Sequence, residues 1–231
     1  MAVLVWRSAL RPHRIHLKLE GKLFREILRV GAISSVSAMQ TVLTAVILTG
    51  FVARFGTAAL AGYGVGVRLE LLQVPIVFAI AQALVVMVGT NIGAGHGERA
   101  KKIAWTGTAA AALVCLVIGW SVAIHPALWI HLFSDDAAVI EIGSLYMRIV
   151  APFYPLFGAG LALYFASQGA GQMLMPVLAG TARLVLVVSG GMLVMQFGGP
   201  LAALFAVIAL GLSVLGGLTA YSVYKARWSR A

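Results

Sequence analysis

Four charged side chains lie inside long apolar stretches of this sequence: Arg68, Glu70, Arg148 and Arg183. A charge at the centre of a bilayer costs about 2.5–3.5 kcal/mol on insertion scales, so such groups usually face a bundle interior and pair. Glu70 and Arg148 lie at similar depth, which predicts that they form a pair that either contacts an ion or substrate or fixes helix register. We expect Arg68 and Arg183 to extend to the outer and cytoplasmic surfaces.

A polar stripe follows the first apolar stretch. Ser34, Ser37, Thr41 and Thr44 are three or four residues apart, with Gln40 beside them. A helix therefore places their polar groups along one face. This stripe predicts a polar pathway through the membrane, although helix packing is the alternative interpretation.

Aromatic residues have a related spacing in the fourth stretch, from Tyr146 through Phe153 and Phe157 to Tyr164. Aromatic faces near an acidic group suit flat organic cations, through stacking and cation–π attraction. The second stretch adds Gln73, which shares a helix face with Glu70; packing is again the alternative. The predicted substrate or ion pathway comprises Ser37, Gln40, Thr41, Thr44, Glu70, Gln73, Tyr146, Arg148, Phe153 and Phe157.

Six apolar runs must position these groups. A helix crosses a bilayer with about 20 apolar residues, and each of these runs is long enough: Val30–Ala53, Ala58–Asn91, Ile103–Ile124, Ala138–Gln168, Pro176–Phe197 and Leu201–Tyr224. The chain is 61% hydrophobic and 10% charged, which excludes an ordinary soluble domain. The sequence therefore predicts an all-α integral membrane protein, a bundle of six transmembrane helices. Interior prolines such as Pro152 and Pro155 predict kinks, which often line transport cavities.

The basic residues indicate the orientation of these helices. Most of the 17 Lys and Arg residues precede the first helix or follow the second and sixth, whereas the outer loop after the third helix carries Asp135 and Asp136. This positive-inside pattern predicts cytoplasmic termini and explains the net charge of +10 without nucleic acid. Residues 1–29 are then a basic amphipathic lead-in, 30–225 the membrane unit and 226–231 a cytoplasmic tail.

Other reactive side chains match no catalytic or metal pattern. His125, His131, Asp135 and Asp136 share an outer loop, but their spacing is not that of a standard metal site. Cys115 is the only cysteine, and no Ser/His/Asp or Cys/His set converges at one membrane depth. We therefore expect no enzymatic activity, no bound metal and no cofactor.

Four stretches, in order along the chain, carry a family resemblance. Residues 88–100 (VGTNIGAGHGERA) resemble the cytoplasmic end of the second helix of a lobe in the multidrug and toxic compound extrusion (MATE) family. Residues 25–31 (REILRVG) resemble the entry to a lobe, and residues 53–64 the turn between its first two helices. Residues 167–172 (SQGAGQ) resemble the turn between its fourth and fifth helices. The resemblance extends over nearly the whole chain.

The resemblance implies a fold and an activity. MATE proteins have two six-helix lobes around a cavity that opens alternately to each side, and they export organic cations and other toxic compounds in exchange for sodium ions or protons. This chain resembles one lobe, and its basic lead-in fits the linker before the second, C-terminal lobe. The implied activity is antiport of small organic cations in the bacterial inner membrane. Membrane lipid surrounds the chain, and a first-lobe partner or a second copy completes the cavity.

The chain departs from the family pattern at two points. Ala32 follows Gly31, where many members have proline, and the first helix lacks the acidic residue that some sodium-coupled members carry. Glu70 then serves in coupling, or the coupling group lies on a missing partner. Two alternatives remain: a lipid-linked oligosaccharide flippase of the same superfamily that requires Arg148 and Arg183, and a non-transporting membrane subunit or remnant.

Overall fold

The computed structural model describes residues 21–226 and Trp228, and within these residues the secondary structure is helical, without strands. The described α-helices are α1 (Gly21–Ala53), α2 (Thr57–Gly93), α3 (Gly97–Ile124), α4 (Pro126–Ile130), α5 (Ala137–Val150), α6 (Tyr154–Gly169), α7 (Leu174–Gln196) and α8 (Leu201–Lys225). The first 20 residues of the predicted lead-in, and most of the predicted tail, lie outside the described residues. Residues 21–29 form the beginning of α1.

Six stretches of the described chain are long and apolar enough to span a membrane: Gly31–Ala53, Thr57–Gly93, Gly97–Ile124, Ala137–Gly169, Leu174–Gln196 and Leu201–Lys225. The six predicted spans are therefore confirmed. Large apolar side chains such as Val46, Leu113 and Leu210 are exposed on the bundle. An apolar surface of this extent suits lipid contact and would be a liability in water.

The centre of the bundle is α6, which packs against α2, α3 and α8. Its Gly158 lies directly against α3, where an added Cβ would stand 2.7 Å from Cys115 Sγ and 3.0 Å from the Ala111 carbonyl oxygen. Lipid provides no hydrophobic force between helices, so small residues that permit close backbone approach stabilise such contacts by van der Waals packing.

We expect Gly158→Ala to destabilise the protein, because the added methyl group has no room between α6 and α3. Overpacking typically costs about 1–3 kcal/mol, so thermal unfolding in detergent should begin at a lower temperature. Gly217→Ala on α8 is the matched control, since nothing lies within 4 Å of a Cβ added at Gly217. Equal unfolding midpoints for the two variants would contradict the close packing of α6 on α3.

The fourth span is interrupted. A 3₁₀ turn, Ala151–Phe153, separates α5 from α6. Pro152 and Pro155 explain this interruption, because each removes a backbone donor and clashes with the preceding helical turn. Both halves pack against α2, α3 and α8, but the turn changes the helical periodicity between them.

The helix α1 lies at the periphery of the bundle. It packs mainly against α7 and makes fewer contacts with α2. The polar face of α1 meets α7 at Gln40, which bonds Thr181, and it borders a cleft.

Candidate functional site

A cleft of about 530 Å³ opens beside α1, and its wall takes residues from α1, α2, α6, α7 and α8. Its volume falls within the range of small-molecule sites, about 300–1,000 Å³. The aromatic part of the wall consists of Phe78, Phe157, Tyr164 and Phe165. The ring of Phe165 meets that of Phe78 edge-on, with centroids 5.0 Å apart. The cleft can therefore hold a flat organic molecule against aromatic surface.

The polar part of the wall comes from α1, through Ser34, Ser37, Gln40, Thr41 and Thr44. Gln40 Nε2 donates a hydrogen bond to Thr181 Oγ1 at 2.7 Å and so links α1 to α7. The hydroxyl of Ser37 is buried and has no hydrogen-bond partner among the described residues. The predicted positions Ser37, Gln40, Thr41 and Thr44 thus face one cleft, together with Phe157.

A second polar group surrounds Glu70 on α2. The Tyr146 hydroxyl of α5 donates a hydrogen bond to Glu70 Oε1. Tyr146 is fully buried, and the rings of Tyr63 and Phe205 meet it edge-on, with centroids 5.4 Å and 5.1 Å away. A Cβ at Gly66 would collide with the Tyr146 ring. Packing on several sides therefore aims the Tyr146 hydroxyl at the carboxylate.

Further polar atoms near Glu70 lack partners. The Tyr154 hydroxyl at the start of α6 lies close enough to interact with Glu70, yet it makes no hydrogen bond of normal geometry within the described chain. Gln73, one turn after Glu70, is fully buried, and its Oε1 has no hydrogen-bond partner among the described residues. Buried polar atoms are usually paired, so these two oxygens leave hydrogen-bonding capacity beside Glu70.

Arg183 on α7 lies between the cleft beside α1 and the polar cluster around Glu70. It lines the cleft and interacts electrostatically with Glu70, Tyr146 and Tyr63. Its aliphatic stem passes Gly211 of α8, where an added Cβ would lie 3.5 Å from Arg183 Cγ. The expectation that Arg183 extends to the cytoplasmic surface is therefore wrong, because its side chain lies in the cleft wall and its Nε is buried.

The expected Glu70–Arg148 pair is not formed. Glu70 interacts with Tyr146, Arg183 and Tyr154, whereas Arg148 is exposed. Residues two apart on a helix point in different directions. Because Tyr146 faces Glu70, Arg148 on the same helix points elsewhere.

Phe153 also departs from the prediction. It lies in the 3₁₀ turn, is 37% exposed and is not part of the cleft wall. The predicted aromatic face assumed one continuous helix with 3.6 residues per turn. The 3₁₀ turn has three residues per turn, which ends that periodicity between Tyr146 and Phe157.

The predicted pathway does not include Arg183, Tyr154 or Thr181, although Arg183 is recognised from the sequence as an intramembrane charge and as a residue that the flippase alternative requires. For Arg183 a signal was available, since it is the only charged residue of α7 and stands thirteen residues before the end of that helix at Gln196. In the loop after α4, His131 Nδ1 lies 3.5 Å from Asp135 Oδ1, and both side chains are largely exposed. No group of three His, Cys, Asp or Glu residues suited to a metal occurs in the described part of the chain.

Comparison with known proteins identifies relatives along most of the chain. The MatE family profile matches residues 33–193. The chain is 25% identical over 154 residues to a probable multidrug resistance protein NorM of Thermotoga maritima, and 23% identical over 165 residues to the multidrug export protein MepA of Staphylococcus aureus. These alignments cover 67% and 69% of this chain but only 33% and 36% of the two relatives.

Solved structures share the fold. The Vibrio cholerae MATE transporter VcmN in its bent form matches with a TM-score of 0.86 at 19% identity, over 97% of this chain and 51% of that one. The MATE transporter ClbM in complex with Rb⁺ matches with a TM-score of 0.81 at 24% identity, over 87% of this chain and 47% of that one. The chain thus spans about half the length of these transporters and has the size of one six-helix lobe. By its profile match, its relatives and its membrane fold, this chain belongs to the MatE family of multidrug efflux transporters.

Proposed function

We propose that this chain is one lobe of a proton-coupled antiporter that exports small organic cations, and that Glu70 carries the coupling proton. The observation that carries this proposal is the partly buried Glu70 carboxylate, which accepts a hydrogen bond from Tyr146 and interacts with the cleft residue Arg183. An ionisable side chain inside a membrane span is expensive to keep and usually functional.

The chemistry around Glu70 favours a proton over a sodium ion. Hard cations bind through several oxygen ligands. Among the described residues Glu70 is the only carboxylate in this cluster, one of its oxygens already accepts the Tyr146 hydroxyl, and the unpaired oxygens beside it, on Tyr154 and Gln73, are neutral. Arg183 adds a positive charge that interacts with the same carboxylate. A sodium ion bound at Glu70 would be repelled by this guanidinium, because like charges repel strongly away from water. A proton requires no such ligand shell.

The lining of the cleft suits a flat organic cation with a large apolar surface. Its wall is mainly apolar and aromatic, and aromatic faces attract desolvated cations. The hydroxyl and amide groups of α1 would orient such a compound.

The described bundle supplies one side of a transport cavity, because α1 packs mainly on α7. We propose that a first-lobe protein or a second copy of this chain supplies the other side. The basic pattern of the sequence supports a second-lobe position with both termini in the cytoplasm, and the bacterial relatives support a bacterial cell membrane.

Reconstituted vesicles test the coupling. The chain, alone or co-reconstituted with the first lobe of a related transporter, is placed in vesicles loaded with ethidium, and dye release is followed after a pH or sodium gradient is imposed. We expect release under the pH gradient, with either the first lobe or self-association of the chain required. Release driven by sodium alone would contradict proton coupling, and release by a proven monomer would contradict the need for a partner.

One observation favours the flippase alternative. The charged side chain in the cleft wall is Arg183, and a guanidinium pairs well with phosphate. A flippase should move a fluorescent pyrophosphate-linked lipid between leaflets without dye export. Dye export without lipid movement would exclude it.

A further inference from the structure

A second cavity lies apart from the cleft, at the end of the bundle where α3 begins and α8 ends. Its volume is about 460 Å³, and it shares no lining residue with the cleft. Its wall takes residues from the first three turns of α3 and from the last turn of α8: Glu98, Lys101, Lys102, Trp105, Thr106 and Tyr224. Because both helices are membrane spans that end here, the cavity lies at the membrane surface.

Positive charge dominates this end of α3. Lys101 Nζ donates a hydrogen bond to the Tyr224 carbonyl oxygen at 3.2 Å, and an ammonium group has three N–H donors, so two remain. Lys102 is exposed, and neither lysine forms an ion pair within the described part of the chain, although Glu98 is in the same wall. With Arg99, residues 97–102 carry three cations and one carboxylate. The cavity therefore offers free donors and net positive charge to an anion.

Aromatic side chains accompany these cations. Trp105 and Tyr224 are 38% and 74% exposed, and both belong to the cavity wall. Next to them on α8, the Lys225 ammonium lies 4.7 Å from the centroid of the Tyr221 ring. Trp and Tyr are enriched where a helix meets the membrane–water interface, and Lys side chains near helix ends extend to that interface. The wall therefore places its lysines at the level of lipid headgroups.

An exposed stripe of α3 leads from the cavity towards the hydrocarbon layer. Thr106, Ala109, Leu113 and Leu116 follow Lys102 at steps of three or four residues, and all are exposed. Steps of this size keep side chains on one face of a helix. From Lys102 to Leu113 the helix rises about 16 Å, which is close to half of the roughly 30 Å hydrocarbon core of a bilayer. An anion that carries acyl chains can therefore lay them along this stripe, whereas a free anion gains nothing from it.

We propose that this cavity binds the headgroup of an anionic phospholipid such as phosphatidylglycerol. Lys101 and Lys102 donate N–H groups to the lipid phosphate, and the acyl chains lie along the α3 stripe. Among the described residues α3 and α8 both pack on α6 but make few or no contacts with each other. A lipid held by the lysine that also bonds the Tyr224 carbonyl oxygen therefore stabilises the association of α3 with α8. The site is independent of Glu70 and of the cleft.

Lipid binding to the purified full chain in a nonionic detergent tests this proposal. Native mass spectrometry distinguishes bound phosphatidylglycerol from phosphatidylcholine with the same acyl chains, and we expect the first phosphatidylglycerol to bind about tenfold or more tightly. Lys101→Gln/Lys102→Gln should lose most of this preference, and Lys101→Arg/Lys102→Arg should keep it. Arg54→Gln/Arg68→Gln, which removes two exposed cations towards the opposite end of the bundle, is the matched control and should also keep it.

The proposal is overturned if the unmodified chain binds both lipids equally, if the double lysine variant keeps the preference, or if the arginine control loses it to the same extent. Soluble glycerol phosphate separates a lipid from a free anion. It should not displace phosphatidylglycerol at equal concentration, and displacement would overturn the assignment to a lipid. Thermal unfolding without lipid identifies misfolded variants. If the double lysine variant does not fold, Lys102→Gln alone replaces it, with a roughly fivefold loss of preference expected.

Discussion

Glu70→Gln is expected to reduce proton-driven ethidium efflux by at least about tenfold, because the amide keeps the size of the side chain but cannot exchange a proton with water. The expectation follows from the position of Glu70 between Tyr146 and Arg183. The measurement is the initial rate of dye release from vesicles under an imposed pH gradient. Glu70→Asp, which keeps the carboxyl group but shortens its reach, should retain part of the rate.

Glu141→Gln provides the matched control for this experiment. Glu141 is an exposed carboxylate near the beginning of α5, so the same chemical change there should leave efflux within about twofold of the unmodified rate. Efflux by Glu70→Gln at the rate of the unmodified chain would contradict the proposed coupling role of Glu70.

Thr41→Trp is expected to weaken ethidium binding and efflux by about tenfold or more, because the indole ring would occupy part of the cleft. Thr41 lines that cleft from α1, and its exposed position on the helix lets the larger side chain fit without disturbing the bundle core. A ligand that loses contact with an aromatic wall loses apolar burial at about 25 cal/mol per Å². Binding is measured by fluorescence titration and transport by dye release.

Val46→Trp separates occupation of the cleft from effects on membrane insertion. Val46 lies on the same helix and is 62% exposed, but it is not part of the cleft wall. The two tryptophan variants should therefore insert and unfold alike, and only Thr41→Trp should lose dye binding. Equal loss in both variants, or in neither, would show that the cleft is not the substrate site.

The spans and the polar face of α1 could be predicted because each depends on local pattern alone. Bilayer thickness fixes the length of an apolar helix, and helical periodicity fixes which residues share a face. Ser37, Gln40, Thr41 and Thr44 accordingly line one cleft. The resemblance of residues 88–100 to the MATE family could likewise be read without three-dimensional information.

The partner of Glu70 could not be predicted, because pairing depends on how helices rotate against each other. Depth along the sequence favoured Arg148, yet Tyr146 on the same helix is the residue that bonds Glu70, and Arg148 is exposed. These are properties of the packed bundle. The depth of a residue in the membrane limits which residues can pair with it. Helix rotation then decides which of those residues face each other.

The prediction of one continuous aromatic face along the fourth span was wrong for a related reason. Its spacing was measured along one continuous helix, although Pro152 and Pro155 signalled an interruption. The 3₁₀ turn Ala151–Phe153 reorients α6 relative to α5, so Tyr146 meets Glu70 while Phe157 lines the cleft. The prolines predicted that the helix breaks, but not the direction of each half.

Proton release on substrate binding tests the central claim most directly, namely that a proton on Glu70 and an organic cation in the cleft oppose each other. Binding effects between two sites are reciprocal, so ethidium added to the purified chain in weakly buffered solution near about pH 6 should release protons, up to about one per bound dye. Glu70→Gln should release none. Dye binding by the unmodified chain without proton release, or equal release by Glu70→Gln, would contradict the coupling proposed for Glu70.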